Sequence, residues 1–140
     1  MILLDTNVLS EMMKTKPDPN VIAWLDAQPG SELVICSVSV AEILYGIARM
    51  PNGKRKDLLA VGADTLFNKL FAGSILPFDA DAAVHYAALV SASEAKGRAA
   101  DMADAQIAAI ARLYSAKVAT RNTRDFEELG VTLVNPWDGA

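Results

Sequence analysis

Cysteine is almost missing from this chain: its 140 residues include one, Cys36. An internal disulfide is thereby excluded, and a reduced thiol in an apolar run is the expected state. Histidine is just as scarce. His85 has no Cys or second His at ligand spacing, which argues against zinc chemistry and leaves it as a packing or surface residue. Charge, Gly or Pro interrupts every apolar stretch before it reaches membrane-spanning length, so no membrane partner is expected. The opening MILLDTN has neither a basic leader nor a small-residue cleavage site, and a cytoplasmic protein without a signal peptide is the expectation. A P-loop and a Gly-rich dinucleotide fingerprint are also missing, and no nucleophile elbow supports a Ser-His-Asp triad.

Positive charge is in deficit as well. Lys and Arg number 13 against 17 Asp and Glu, a net charge of −4. A module that grips nucleic acid mainly through phosphates should be basic, so this balance speaks against one. It does not speak against a metallonuclease. A few carboxylates gathered at one site would account for the excess, and bound cations would reverse its sign locally.

What is present is apolar. Hydrophobic residues make up 52% of the chain and mean hydropathy is +0.23, which excludes disorder and fits one compact domain over residues 1–140. No internal repeat, low-complexity segment or long linker divides it. Met1–Leu4 reads as a buried strand feeding a helix, and Leu33–Cys36, Ser74–Phe78, Lys117–Thr120 and Val131–Val134 read as further short strands. Helical spacing runs through Val21–Gln28, Ser39–Met50, Lys54–Phe71, a segment capped by Asp79 or Asp81 and running towards Gly97, Asp101–Ser115 and Thr123–Leu129. This alternation predicts an α/β sandwich around a mostly parallel sheet of about five strands. Ligand sites of such sheets lie beyond the carboxyl ends of the strands.

Acidic or amide side chains recur at those places: Asp5 after the first strand, Glu42 soon after the second, Asp104 in a first helical turn, and Asn122 and Asp125 after Lys117–Thr120. An all-oxygen set of this kind suits Mg²⁺ or Mn²⁺, which can activate water for attack on a phosphodiester. Each residue also has a plainer reading. Asp5 can cap the helix that follows it. Ser39-Val-Ala-Glu42 matches a capping box, with Glu42 bonding back to the Ser39 backbone. Asp101 can cap the helix that carries Asp104, and Asp125 can be a solvated first-turn acid. Arg121 and Arg124 are placed to hold RNA phosphates, whereas Lys54-Arg55-Lys56 reads as a solvated helix start. Trp24 and Trp137 read as packing residues.

Four ordered segments, MILLDTNVLSE, SVSVAEILYG, DMADAQIAAIA and VATRNTRDFEELGVTLVNPW, resemble the PIN-domain ribonucleases. The nearest subgroup is the VapC/FitB-like toxins of type II toxin–antitoxin pairs. The resemblance covers essentially the whole chain. It implies a three-layer sandwich, Mg²⁺ (or Mn²⁺) dependence, hydrolysis of RNA such as tRNA, a homodimer, inhibition by a cognate antitoxin, and DNA contact only through that antitoxin. By motif, Asp5, Glu42 and Asp104 match the family's acidic residues, and Thr6, Asn7 and Ser10 match the polar residues supporting the first aspartate. One departure is visible. Several members of the family carry an aspartate directly after the T-R pair where this chain has Asn122, and Asp125 in R-D-F is the other candidate for the fourth position. That departure keeps a second reading open, a catalytically weak PIN-fold interaction module in a DNA-binding toxin–antitoxin complex. A phosphoacceptor receiver fits poorly, because Thr6-Asn7 follows Asp5 where a second acid is wanted.

Overall fold

The structure, a computed structural model, describes residues 1–139. Five short strands form its sheet: β1 (Ile2–Leu4), β2 (Leu33–Cys36), β3 (Ile75–Leu76), β4 (Lys117–Ala119) and β5 (Leu133–Val134), in the order β3-β2-β1-β4-β5. All four pairings are parallel, with Leu3 opposite both Val34 and Val118. Among the described residues seven α-helices flank it: α1 (Thr6–Met12), α2 (Pro19–Ala27), α3 (Ser37–Ala48), α4 (Lys54–Thr65), α5 (Ala80–Ala95), α6 (Met102–Leu113) and α7 (Thr123–Phe126).

The strands read as unbroken apolar runs because both faces of the sheet are covered. Successive side chains alternate between faces. Leu3, Val34 and Val118 join one core with Leu89 of α5, Ile107 and Ile110 of α6 and Phe126 of α7. Leu4, Ile35 and Ala119 join the other with Val8 and Leu9 of α1, Val21 of α2 and Ile43 and Ile47 of α3. Three layers result. The chain winds outward from β1 to β2 and β3, then returns to the other side of β1 for β4 and β5, so the order reverses between β1 and β4. At such a switch point the loops leaving adjacent strands diverge and open a crevice at their carboxyl ends.

Three expectations change in detail. α2 starts earlier than the apolar spacing suggested, because Pro19 occupies the first turn and the Asp18 carboxylate accepts from the Asn20 N–H at 2.8 Å. The Lys54–Phe71 segment is not one regular helix: α4 ends at Thr65 and a π-helical turn spans Leu66–Leu70. The wider turn rotates the apolar stripe, burying Phe67 and Phe71 while Leu70 faces solvent. Lys56 is not simply solvated. Its ammonium donates to the carbonyls of Ala48 and Met50 at the end of α3, at 3.2 and 3.3 Å.

Cys36 is fully buried with its thiol pKa pushed up, chiefly by burial, as a reduced core thiol requires. His85 lies in α5 and lines a shallow surface groove with Arg112 and Lys117, apart from the acids. Among the described residues no helix is long and apolar enough to cross a membrane.

Candidate active site

Asp5 leaves β1 at the switch point, its N–H donating to the Ala119 carbonyl of β4 at 2.9 Å. It caps α1: one carboxylate oxygen accepts from the Thr6 N–H at 2.8 Å. The other accepts from the Thr120 hydroxyl at 2.7 Å and the Asn7 amide at 3.2 Å. The capping reading therefore holds, and it leaves the carboxylate facing a cavity rather than consumed. Only 4% of Asp5 is exposed. Burial raises its pKa, the Thr120 and Thr6 hydrogen bonds oppose the rise, and the charges of Glu42 and Asp125 add to it.

Thr120 is the hub of this corner. Fully buried, its hydroxyl also accepts from the Asn122 N–H at 3.0 Å and the Asn7 amide at 3.3 Å. The Asn7 side-chain oxygen in turn accepts from the Arg121 N–H at 3.3 Å, which ties the loop after β4 to α1.

Glu42 projects from α3, and the capping-box reading of Ser39-Val-Ala-Glu42 is overturned. The helix starts at Ser37, so Ser39 already lies inside its first turn and is fully buried. Glu42 instead accepts from the Thr6 hydroxyl at 2.7 Å, and Ser39 Oγ lies 2.9 Å from the same Thr6 oxygen. With one proton to give, Thr6 donates to the carboxylate and receives from Ser39. The pair pins α1 to α3 at the cavity edge.

Asp104 enters from α6, whose first turn is capped by Asp101 accepting from the Asp104 N–H at 3.1 Å. That capping expectation is met, and it leaves the Asp104 side chain free. Its pKa is pushed up to about 7, first by burial and then by the charges of Asp5, Asp101, Asp125 and Glu42. Four acids acting on one carboxyl is the electrostatic signature of carboxylates crowded without a counter-charge.

Asp5, Thr6, Asn7, Ser10, Glu42, Asp104, Arg121 and Asn122 line one cavity of about 400 Å³, with Glu11, Lys14 and Trp137. Asp125 and Arg124 do not line it. They line the adjoining groove with Asp101, Arg98 and Glu128, and Asp104 forms the wall shared by both. Among the described residues no three His, Cys, Asp or Glu side chains converge closely enough to cage an ion unaided. The donor set nonetheless fits a hard cation that keeps several waters and uses only one or two carboxylates, as Mg²⁺ does. The buried Asp5 and the protonation-prone Asp104 are the two acids whose surroundings most call for positive charge.

Glu11, Lys14 and Trp137 were missed as cavity residues. Glu11 is buried, and its pKa is lowered by hydrogen bonds from the Lys14 ammonium and the Asp18 N–H. A signal existed for two of them: Asn7, Ser10, Glu11 and Lys14 fall at the spacing that puts residues on one helix face. Trp24 and Trp137 pack against the second core as expected, but Trp137 also lines the cavity, with the Arg121 guanidinium 5.2 Å above its ring.

Comparison with known proteins identifies the family. The PIN domain family matches residues 2–131. The chain is 42% identical over 140 residues to the protein named VapC ribonuclease Y4jK of Sinorhizobium fredii, covering 100% of both. It is 42% identical over 137 residues to toxin FitB of Neisseria gonorrhoeae, covering 98% of this chain and 99% of that one. The solved structure of FitAB bound to an IR36 DNA fragment superposes with a TM-score of 0.90 at 42% identity, over 98% of this chain and 96% of that one. The chain belongs to the PIN-domain family, in its VapC/FitB-like branch.

Proposed function

We propose that this protein is a divalent-cation-dependent endoribonuclease toxin, hydrolysing RNA phosphodiester bonds and held inactive by a cognate antitoxin. The observation that carries the reading is the convergence of Asp5, Glu42, Asp104 and Asn122, from four separate stretches of chain, on one cavity at the β1/β4 switch point. The ribonuclease and toxin names of its relatives support it.

Asp5 and Asp104 would hold Mg²⁺ (or Mn²⁺). When bound, the cation supplies positive charge that acidifies water and offsets charge developing at the scissile phosphate. The chain's own groups do the rest. Thr120, Asn7 and the Thr6 N–H fix the Asp5 carboxylate in one orientation. Glu42, held by the Thr6 hydroxyl, orients the attacking water and accepts its proton. Asn122 offers an amide inside the cavity, and Ser10 adds a hydroxyl to the wall. Arg121 and Arg124 flank Asp104 from two sides and are the candidate contacts to RNA phosphates. Asp125 contributes field rather than direct contact, since its charge raises the pKa of both Asp5 and Asp104 from the neighbouring groove.

Partner binding belongs to the same proposal. Leu44 and Tyr45 on α3 and Leu58 and Val61 on α4 are about half or more exposed, apolar side chains that a second protein chain, an antitoxin or a homodimer partner, would cover. Contact with DNA would come through the antitoxin, a reading supported by a similar protein's complex, FitAB, having been solved bound to a DNA fragment. The test is cleavage of unfractionated tRNA by purified protein in Mg²⁺ or Mn²⁺, beside Asp5→Asn. The reading expects cleavage that needs the cation and falls by at least about a hundredfold in the variant. Equal activity in both proteins refutes it, and absence of cleavage with intact antitoxin binding favours the interaction module.

A further inference from the structure

The acidic cavity presents a polyanion with a problem that Arg121 alone among its lining side chains is placed to solve. Its cations are Lys14 and Arg121. Lys14 is already paired, its ammonium 3.0 Å from Glu11 Oε1. Arg121 has no ion-pair partner among the described residues, although Glu11 lies near enough to feel its charge. Its position is nonetheless fixed at both ends. The backbone N–H donates to Asn7, and the guanidinium lies over the indole of Trp137.

Trp137 is itself anchored. Its N–H is held by the Asn135 side chain at 2.9 Å, its carbonyl accepts from Asn20 of α2 at 3.3 Å, and its ring packs on the core beneath the sheet. A side chain as long as arginine ordinarily samples many rotamers. A cation–π contact with a fixed ring narrows that freedom and leaves guanidinium N–H groups available to a phosphate.

We infer that Trp137 is a positioning residue for substrate: it holds the Arg121 guanidinium at the cavity wall, where it grips an RNA phosphate beside the scissile bond. This rests on the ribonuclease reading for the substrate class. The stack acts on binding and not on the chemical step, because neither side chain reaches Asp5 or Asp104 by a hydrogen bond. Loss of a cation–π contact at a partly exposed site weakens affinity about two- to fivefold.

The experiment is a double-mutant cycle of Trp137→Leu and Arg121→Gln, with two readouts on end-labelled unfractionated tRNA. One is KM and kcat for cleavage. The other is the dissociation constant in EDTA, measured against salt, which needs no activity. Expected are a rise in KM of about two- to fivefold for Trp137→Leu with kcat unchanged, and an Arg121→Gln salt slope reduced by about one. In the Arg121→Gln background the Trp137→Leu effect should vanish, and Trp137→Phe should restore most of the loss. An equal Trp137→Leu penalty in both backgrounds means that Trp137 is merely structural and overturns the inference, as does an Arg121→Gln protein that binds tRNA normally. Should Trp137→Leu fail to fold, Arg121→Lys keeps the charge and loses the planar fork, and an unchanged KM there overturns it too. Wild-type protein that binds tRNA with this coupling but does not cleave it sinks the ribonuclease reading and leaves Trp137 positioning Arg121 for an RNA phosphate.

Discussion

Removing the Asp104 charge should stabilise the cation-free protein at high pH and do nothing at low pH. The carboxyl sits at about 7 in the folded chain against an ordinary value of 3.8. Between those two values the folded state binds more protons than the unfolded state, so stability is lost as pH rises from about 4 to about 7 and is flat beyond. At about 1.4 kcal/mol per pH unit, the interval sets an upper bound of about 4 kcal/mol. Asp104 is partly exposed to solvent, which screens the repulsion, and a realistic share is about 1–2 kcal/mol. Asp104→Asn keeps the shape and the backbone bond to Asp101 while deleting the charge. In urea titrations with EDTA the variant should match the wild type at pH 4 and exceed it by about 1–2 kcal/mol at pH 8. Saturating Mn²⁺ should reverse the order, because a cation present at a hundred times its Kd adds about 2.7 kcal/mol to the protein that binds it. A gap that is independent of pH would show that Asp104 is not crowded by its neighbours, and the electrostatic account of the site would fail.

Other consequences follow from single contacts. Thr120→Val leaves the buried Asp5 carboxylate short of a donor and should cost about 1–3 kcal/mol in urea unfolding, with weaker Mn²⁺ binding by calorimetry; a silent substitution would remove Thr120 from the site. Asn122→Asp adds a further acid to the cavity, beside Asp5, Glu42 and Asp104, and should tighten Mn²⁺ binding while lowering cation-free stability at pH 8; unchanged affinity would mean that position 122 does not face the ion. Ser39→Ala removes the hydroxyl that links α3 to Thr6 and should cost about 1 kcal/mol, read in the same urea titrations; no change would show that the bridge contributes nothing.

The layered α/β architecture could be read from the chain because a buried parallel sheet writes itself as short apolar runs, and LVIC and MILL are nearly pure examples. The acids Asp5, Glu42 and Asp104 were legible as residues at strand ends and first turns, and the structure brings all three to one cavity. What local pattern misjudged was the partner of each polar group. Ser39 and Glu42 have capping-box spacing, yet the helix begins two residues earlier and both side chains turn to Thr6, 33 and 36 residues away. Trp137 and Arg121 meet only because β4 and the turn after β5 end on the same side of the sheet. Long-range pairings of this kind leave no periodicity to read. The π-helical turn at Leu66–Leu70 was hidden for a related reason, since one extra residue in a turn is set by packing against the core and not by residue preference.

The central claim is that Asp5 and Asp104 jointly hold a cation at the β1/β4 switch point. Crystals of the protein soaked in Mn²⁺ test it directly through anomalous scattering. The account predicts a peak in the cavity within coordination reach of both carboxylates, about 2.1 Å from the bound oxygens, and its loss in Asp5→Asn. A peak elsewhere, or none in crystals of protein that still cleaves RNA in Mn²⁺, would contradict it.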